Sequence, residues 1–202
     1  MNTPTVPTPA VTGPTRVAHS TAPASRGASR AWPGRTRILT SDSAWAAAAA
    51  AVLILIAGAM TLATGHPWLF AALGPTAVTV ASSPGHPTSR FHSIVVGHAT
   101  AFVCAWLVVL LVGAADAPIG SGAAVTVARV WGSAMAIAAT TLVQPTLRAY
   151  HPPAAATALL ITLGQYHVTW KSSLGMMAGV LVVALAGEWL QRIRLKDEPN
   201  RR

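Results

Sequence analysis

The chain has 202 residues, of which 52% are hydrophobic and 9% charged, and its mean hydropathy is +0.51. A soluble domain covers its core with more charge than this, so the values exclude an ordinary water-soluble fold and point to the bilayer as solvent. The formal net charge of +9 does not signal nucleic acid: ten of the fourteen Lys and Arg lie at or before Arg37 or after Trp189, outside the hydrophobic region, where basic tails hold a membrane protein on the cytoplasmic side and touch anionic lipid.

Met1 to about Asp42 is rich in Pro, Thr, Ser, Ala and Arg without an apolar run, which predicts a disordered basic tail over residues 1–43. The tail has the Arg-rich, Ser-rich, acid-poor character of an organellar transit peptide, but its many prolines and glycines oppose the amphipathic helix such a peptide needs. No secretory signal is expected, because the first hydrophobic run begins beyond the tail.

A transmembrane region is expected over residues 44–191. Ala44 to Thr64 has the length of one bilayer crossing and is entered at Trp45, as an interfacial anchor would be. Leu69 to Ala81 is short, and Ser93 to Gly113 is long again. A polar loop from Asp116 to Ser121 follows, and then the order repeats: Ala123 to Val143 long, Pro152 to Gly164 short, Leu174 to Leu190 long. The expected fold class is an all-α membrane protein. It is read as two inverted three-helix repeats, each long, short, long, forming a compact bundle of about six helices with the two short ones broken or re-entrant.

Three crossings per half invert the second half and put both termini on one side. The Arg-rich N-terminal tail and a short basic tail over 192–202, with Arg192, Arg194 and Lys196, mark that side as cytoplasmic. Re-entrant short segments would leave four crossings with the same outcome for the tails. The charge rule favours six, which keeps Arg90 and Arg148 inside and leaves the loop at Asp116, without Lys or Arg, outside. A bacterial plasma membrane is the expected location.

Both short segments open on proline turns, Gly74-Pro75-Thr76-Ala77 and, 77 residues later, His151-Pro152-Pro153-Ala154. Proline suits the first helical position, where its missing N–H would be unpaired anyway. Such helix ends expose backbone N–H groups that need a partner inside a membrane, and two facing ends would make a cradle for an anion. The plainer alternative is that the prolines only shape surface loops.

Arg129 falls in the middle of the Ala123 to Val143 stretch, where a charge costs at least ~2.5 kcal/mol on insertion scales. At helical spacing Thr126, Arg129, Ser133 and Thr140 share one stripe, which suits a polar cavity wall. The structural alternative is a pair with Glu188, although Glu188 also sits one turn before Arg192. His98, inside the third segment, and His151, opening the second short one, could hydrogen-bond a solute or shuttle a proton; a buried His98 satisfied by a carbonyl is the bland reading. His19, His66, His86, His92 and His167 lack ligand spacing, and Cys104 is a lone cysteine, so neither metal nor cofactor is expected. Gly97, Ala101 and Ala105 recur every four residues, as do Gly175, Gly179, Val183 and Gly187, giving small faces for close helix packing.

The stretch Leu69-Phe70-Ala71-Ala72-Leu73-Gly74-Pro75-Thr76-Ala77, then His86-Pro87-Thr88-Ser89-Arg90, Gly97-His98 and His151-Pro152-Pro153-Ala154-Ala155-Ala156-Thr157-Ala158 resembles the HPP integral membrane family. Order and spacing fit from about Ala44 to Leu190. The resemblance implies a compact helical membrane protein with four or more spans; some plant and cyanobacterial members are implicated in nitrite transport. Some relatives carry a CBS module after the membrane region, which is not expected here. Where the family often has a Pro-Arg-Asn run, this chain has Arg90-Phe91-His92-Ser93.

The function expected is a transporter or channel for a small inorganic anion, nitrite being the candidate the resemblance supplies. Its binding residues are read as Gly74, Pro75, Thr76, His98, Arg129, Ser133, His151, Pro152 and Pro153. The alternative is a non-transporting membrane scaffold or assembly protein. An enzyme is not expected, because the sequence has no carboxylate pair, no Ser or Cys with a placed base and no metal cluster. The partners expected are the anion and membrane lipid but no nucleic acid, with a homo-oligomer left open.

Overall fold

The computed structural model describes residues 41–114 and 125–197. Nearly all of the expected N-terminal tail, the loop from Asp116 to Ser121 and residues 198–202 therefore lie outside the described residues. Among the described residues there are six α-helices and no strand: α1 (Ser41–Thr64), α2 (Leu73–Ser82), α3 (Phe91–Leu111), α4 (Val127–Thr146), α5 (Ala155–Thr162) and α6 (Trp170–Asp197), with 3-10 turns at Pro87–Ser89 and Pro152–Ala154. The long, short, long order holds in each half. Of the helices, α1, α3 and α6 are long and apolar enough to cross a bilayer.

The helix ends follow local chemistry. The second element starts at Leu73 rather than Leu69, because a turn over Phe70 to Gly74 comes first, closed by Leu73 N–H to the Phe70 carbonyl (3.0 Å) and Gly74 N–H to the Ala71 carbonyl (3.2 Å). Thr126 caps α4, its Oγ1 accepting the Arg129 N–H at 3.3 Å. This places Arg129 in the first turn of α4 and corrects its expected mid-span position, which treated a hydrophobic run as if it were the helix. At the other end of α4, Ala149 N–H bonds the Gln144 carbonyl (3.0 Å) and Arg148 N–H the Pro145 carbonyl (3.0 Å), a Schellman closure. Arg148 takes the left-handed position usually given to glycine (φ 52°). The last helix runs on to Asp197, through most of the expected C-terminal tail.

Two apolar cores share α3. One joins Leu53 and Ala57 of α1, Leu73 and Val80 of α2, Ile94 of α3 and Val180 of α6. The other joins Ala101 and Ala105 of α3, Ala136 of α4 and Ala158 of α5. Between α3 and α4 the packing is antiparallel: the Gln144 amide reaches the Gly97 carbonyl at 3.2 Å, while Gly132 faces Val108 and Val112. The small stripes read from the sequence are buried as expected. The large exposed side chains, among them Leu55, Leu62, Leu107, Leu111, Trp131 and Leu185, are what lipid-facing helices present.

The ends of α1 and α6 meet in an ion pair of Asp42 with Arg194. Near the same end, Gln191 accepts the Gly85 N–H at 2.8 Å and donates to the Ser89 carbonyl at 2.9 Å, tying α6 to the segment before α3. The chain between α1 and α2 lies against α6, where Gly179 meets the Trp68 carbonyl so closely that a Cβ has no room, whereas a Cβ at Gly175 would meet only the Pro67 carbonyl, at 3.8 Å.

Gly179→Ala is therefore expected to cost about 1–3 kcal/mol through overpacking against rigid backbone, seen as a lower thermal unfolding midpoint in detergent. Gly175→Ala leaves that midpoint unchanged or raised.

Candidate functional site

A connected set of buried polar side chains lies between the two apolar cores. Thr76, in the first turns of α2, is fully buried, as are His98, two turns into α3, His151, just before the Pro152–Ala154 turn, and Thr157 of α5. The Thr76 Oγ1 stands 2.8 Å from His98 Nε2 and 3.2 Å from His151 Nε2. His98 Nδ1 reaches Thr157 Oγ1 at 2.7 Å, and His151 Nδ1 reaches the Thr88 carbonyl at 2.7 Å. The two imidazole centroids are 5.2 Å apart. One hydroxyl thus bridges two rings brought from opposite halves of the sequence.

Gln144, buried on α4, fixes the position of His151. Its Oε1 accepts the His151 backbone N–H at 3.0 Å while its Nε2 donates to Gly97. Gly97 is glycine for a steric reason: a Cβ there would stand 2.7 Å from the His151 Cβ. One turn from Gln144 on the same buried face of α4, Thr140 Oγ1 is buried without a hydrogen-bond partner.

The expected backbone cradle is not formed. The expected donors follow Pro75 and Pro152, but α2 already begins at Leu73, two residues before Pro75, so the N–H groups after it enter the helix ladder; Ala154 N–H bonds the His151 carbonyl at 3.0 Å, and Ala155 N–H bonds the Pro152 and Pro153 carbonyls. Pro75, Pro152 and Pro153 have no N–H. The prolines dispose of donors at the helix starts, and what the starts present is side chains. Pro75 and Pro152 themselves are exposed, and Gly74 and Pro153 half-buried.

Arg129 and Ser133 lie elsewhere. Arg129 is buried and its Nη1 donates to the Thr162 carbonyl at 2.9 Å; Ser133 Oγ meets Thr162 Oγ1 at 2.8 Å. Along α4 the fifteen residues from Arg129 to Gln144 span about 22 Å, so the guanidinium sits at the last turn of α5, favourable for a cation at a helix C-terminus, and not beside the histidines. It packs over Gly164, which has φ +71° and no space for a Cβ. With Ile161, Tyr166 and His167 it lines a cavity of about 90 Å³. Burial pushes the Tyr166 phenol above its ordinary range, keeping it a donor, to the Ser172 carbonyl. The alternative pairing of Arg129 with Glu188 is overturned: Glu188 holds Arg192 at 3.2 Å, one turn away on α6.

Of the nine expected site residues, the fold joins Thr76, His98 and His151, sets Gly74, Pro75, Pro152 and Pro153 at the turns that carry them, and separates Arg129 and Ser133. Gln144 and Thr157 were not singled out. Their signal was present: each is a polar residue inside a largely apolar helical segment, where a buried polar side chain needs a partner.

An all-helical bundle with an apolar exterior and a hydrogen-bonded polar centre defines a helical membrane protein. The chain belongs to the HPP family: the model described as HPP, transmembrane region, matches residues 35–199. No curated protein and no solved structure matches the chain.

Arg129→Gln is expected to lower stability by about 1–3 kcal/mol, the cost of weakening a buried charge-assisted bond, measured as a fall in the thermal midpoint. Arg129→Lys, which keeps the charge at the end of α5, is expected to recover part of it.

Proposed function

We propose that the protein is a transporter or channel for a small inorganic anion, nitrite foremost, held in passage by Thr76, His98, His151 and Thr157. The observation that carries this reading is the meeting of the starts of α2 and α5 at two bridged imidazoles, Thr76 contacting both His98 and His151. No carboxylate side chain is among the cluster's hydrogen-bond partners. A cation pathway would bring acids to such depth, whereas neutral hydroxyl and imidazole donors near the positive ends of two helices suit an anion. The unpaired Thr140 hydroxyl adds a group within one turn of Gln144.

In this reading the two halves are inverted repeats, the extended segments before α2 and α5 complete two broken crossings, and both termini face the cytoplasm of a bacterial plasma membrane. Arg129 serves as an outer station at its small cavity, and the histidine cluster as the inner one. The protein carries the anion unchanged, with no catalytic step, metal or cofactor. Lipid surrounds the bundle, and a homo-oligomer is compatible with its exposed apolar faces.

The complete internal hydrogen bonding of His98 and His151 favours a second reading, a non-transporting scaffold whose polar centre only specifies the fold. Nitrite entry into vesicles reconstituted with the full chain, in mildly alkaline buffer where leak of nitrous acid is negligible, separates the two. The transport reading expects entry well above that of protein-free vesicles. It also expects His151→Ala to slow entry roughly tenfold or more, as removal of a hydrogen bond worth about 1.4 kcal/mol would, while the variant remains folded. Flux equal to protein-free vesicles for nitrite, nitrate and chloride alike leaves the scaffold.

A further inference from the structure

We infer that His98 and His151 form a directional proton relay that takes up a single proton, making the protein proton-coupled; the coupling rests on the transport reading above, the relay itself does not. The direction follows from the partners. A carbonyl only accepts, so His151 Nδ1, 2.7 Å from the Thr88 carbonyl, carries a hydrogen, and in the neutral ring Nε2 is then an acceptor. The single Thr76 hydroxyl hydrogen has two acceptors at 3.2 Å, the Ala72 carbonyl one turn back and that Nε2; in the relay it goes to Nε2, which is otherwise left without a donor. The same Thr76 oxygen accepts from His98 Nε2–H at 2.8 Å, which leaves His98 Nδ1 an acceptor for the Thr157 hydroxyl at 2.7 Å. Every link points the same way, from Thr157 through His98, Thr76 and His151 to Thr88, with both rings neutral and of opposite tautomer.

Such a chain can accept one proton by reversing. A proton arriving at the Thr157 oxygen displaces that hydroxyl's own hydrogen to His98 Nδ1. His98 passes its Nε2 hydrogen to Thr76, and Thr76 passes its hydrogen to His151 Nε2. One proton has been taken up and the positive charge rests on His151, now a donor from both nitrogens; the Thr88 carbonyl cannot pass a proton on, so release runs through the same steps in reverse, back to Thr157, as the anion leaves. Behind it the links point back: His151 to Thr76, Thr76 to His98, His98 to Thr157. Among the described residues the groups facing the rings are uncharged, so a permeating anion is what would match a net positive charge there: α2 presents Thr76, α4 Gln144, α5 Thr157, and the segment before α3 the Thr88 carbonyl. Of the charged residues on α1, α4 and α6, Asp42 pairs with Arg194 and Glu188 with Arg192 at the bundle end, and Arg129 is at Thr162. A second proton would place two imidazolium rings 5.2 Å apart without a counter-charge, so uptake stops at one.

The test uses the full chain in nanodiscs, with histidine ring nitrogens labelled with ¹⁵N and read by NMR. His98→Gln and His151→Gln assign the two rings. The expected result is His98 protonated on Nε2 and His151 on Nδ1 at alkaline pH, then a single proton added to the pair on acidification, appearing on His151. Like tautomers, or two independent protonations, overturn the relay. Thr157→Val, which keeps the shape and removes the terminal hydroxyl, is expected to abolish the tautomer switch at His98, and a switch that persists in it overturns the relay as well, even where a histidine variant fails to fold. Vesicles carrying an internal pH indicator then test the coupling: nitrite entry should acidify the lumen and accelerate with an inward proton gradient. Nitrite entry indifferent to the gradient overturns the coupling and leaves the anion reading intact. Absence of nitrite entry alongside single-proton uptake supports the relay and removes nitrite as its partner.

Discussion

The Thr76 hydroxyl between two imidazoles is the contact on which the rest of the interior depends. Inside a bilayer a polar group without a partner has no water to turn to, so a donor or acceptor brought to the centre is costly unless another from the protein matches it, the Thr140 hydroxyl near Gln144 being an exception. The surrounding structure answers that demand piece by piece. Prolines at the helix starts remove donors, the turn before α2 absorbs two more, and Gln144 takes up the His151 amide. The absence of a side chain at Gly97 lets the His151 ring come within reach of α2 and α3 at once. The polar centre and the proline turns are therefore one device, in which the backbone groups are used up locally and the centre is left to side chains.

Arg129 illustrates how a costly residue is housed. Its guanidinium is not held at the bundle centre but at the end of α5, where the carbonyl of Thr162 and the negative helix terminus offset the cost of burying a cation. The position leaves a small cavity beside it, lined in part by Tyr166 and His167. Two polar stations then lie along α4, about 22 Å apart, one cationic and one neutral, joined by the buried face that carries Ala136 and Thr140. An anion reading places attraction at the first station and selection at the second.

Packing around both stations relies on small residues. Ala and Gly on α3, α4 and α6 let backbones come close enough for dispersion and carbonyl contacts to replace the hydrophobic driving force that lipid does not supply. The contact of Gly179 with the Trp68 carbonyl is the extreme case. It also explains why the extended link before α2 can lie against α6: the helix gives up a side chain where the link passes.

Much of this was legible in the sequence. Hydropathy pointed to a helical membrane protein, since continuous apolar runs of about twenty residues mark spanning helices whereas barrel strands are short and alternating, and the long, short, long order of both halves survives in α1 to α6. The proline turns and the Gly97-His98 pair marked the neighbourhood of the centre. What the sequence could not determine was which of its scattered polar residues face one another. Thr76, His98 and His151 are separated by tens of residues, and Arg129 looks as central as any of them until the cap at Thr126 shows where its helix begins. Helix starts a residue or two from their expected place rotate and shift every side chain beyond them, by about 100° and 1.5 Å per residue. Contacts among buried polar groups are decided at a few tenths of that distance, so the partnership of two histidines through one threonine belongs to the tertiary structure alone.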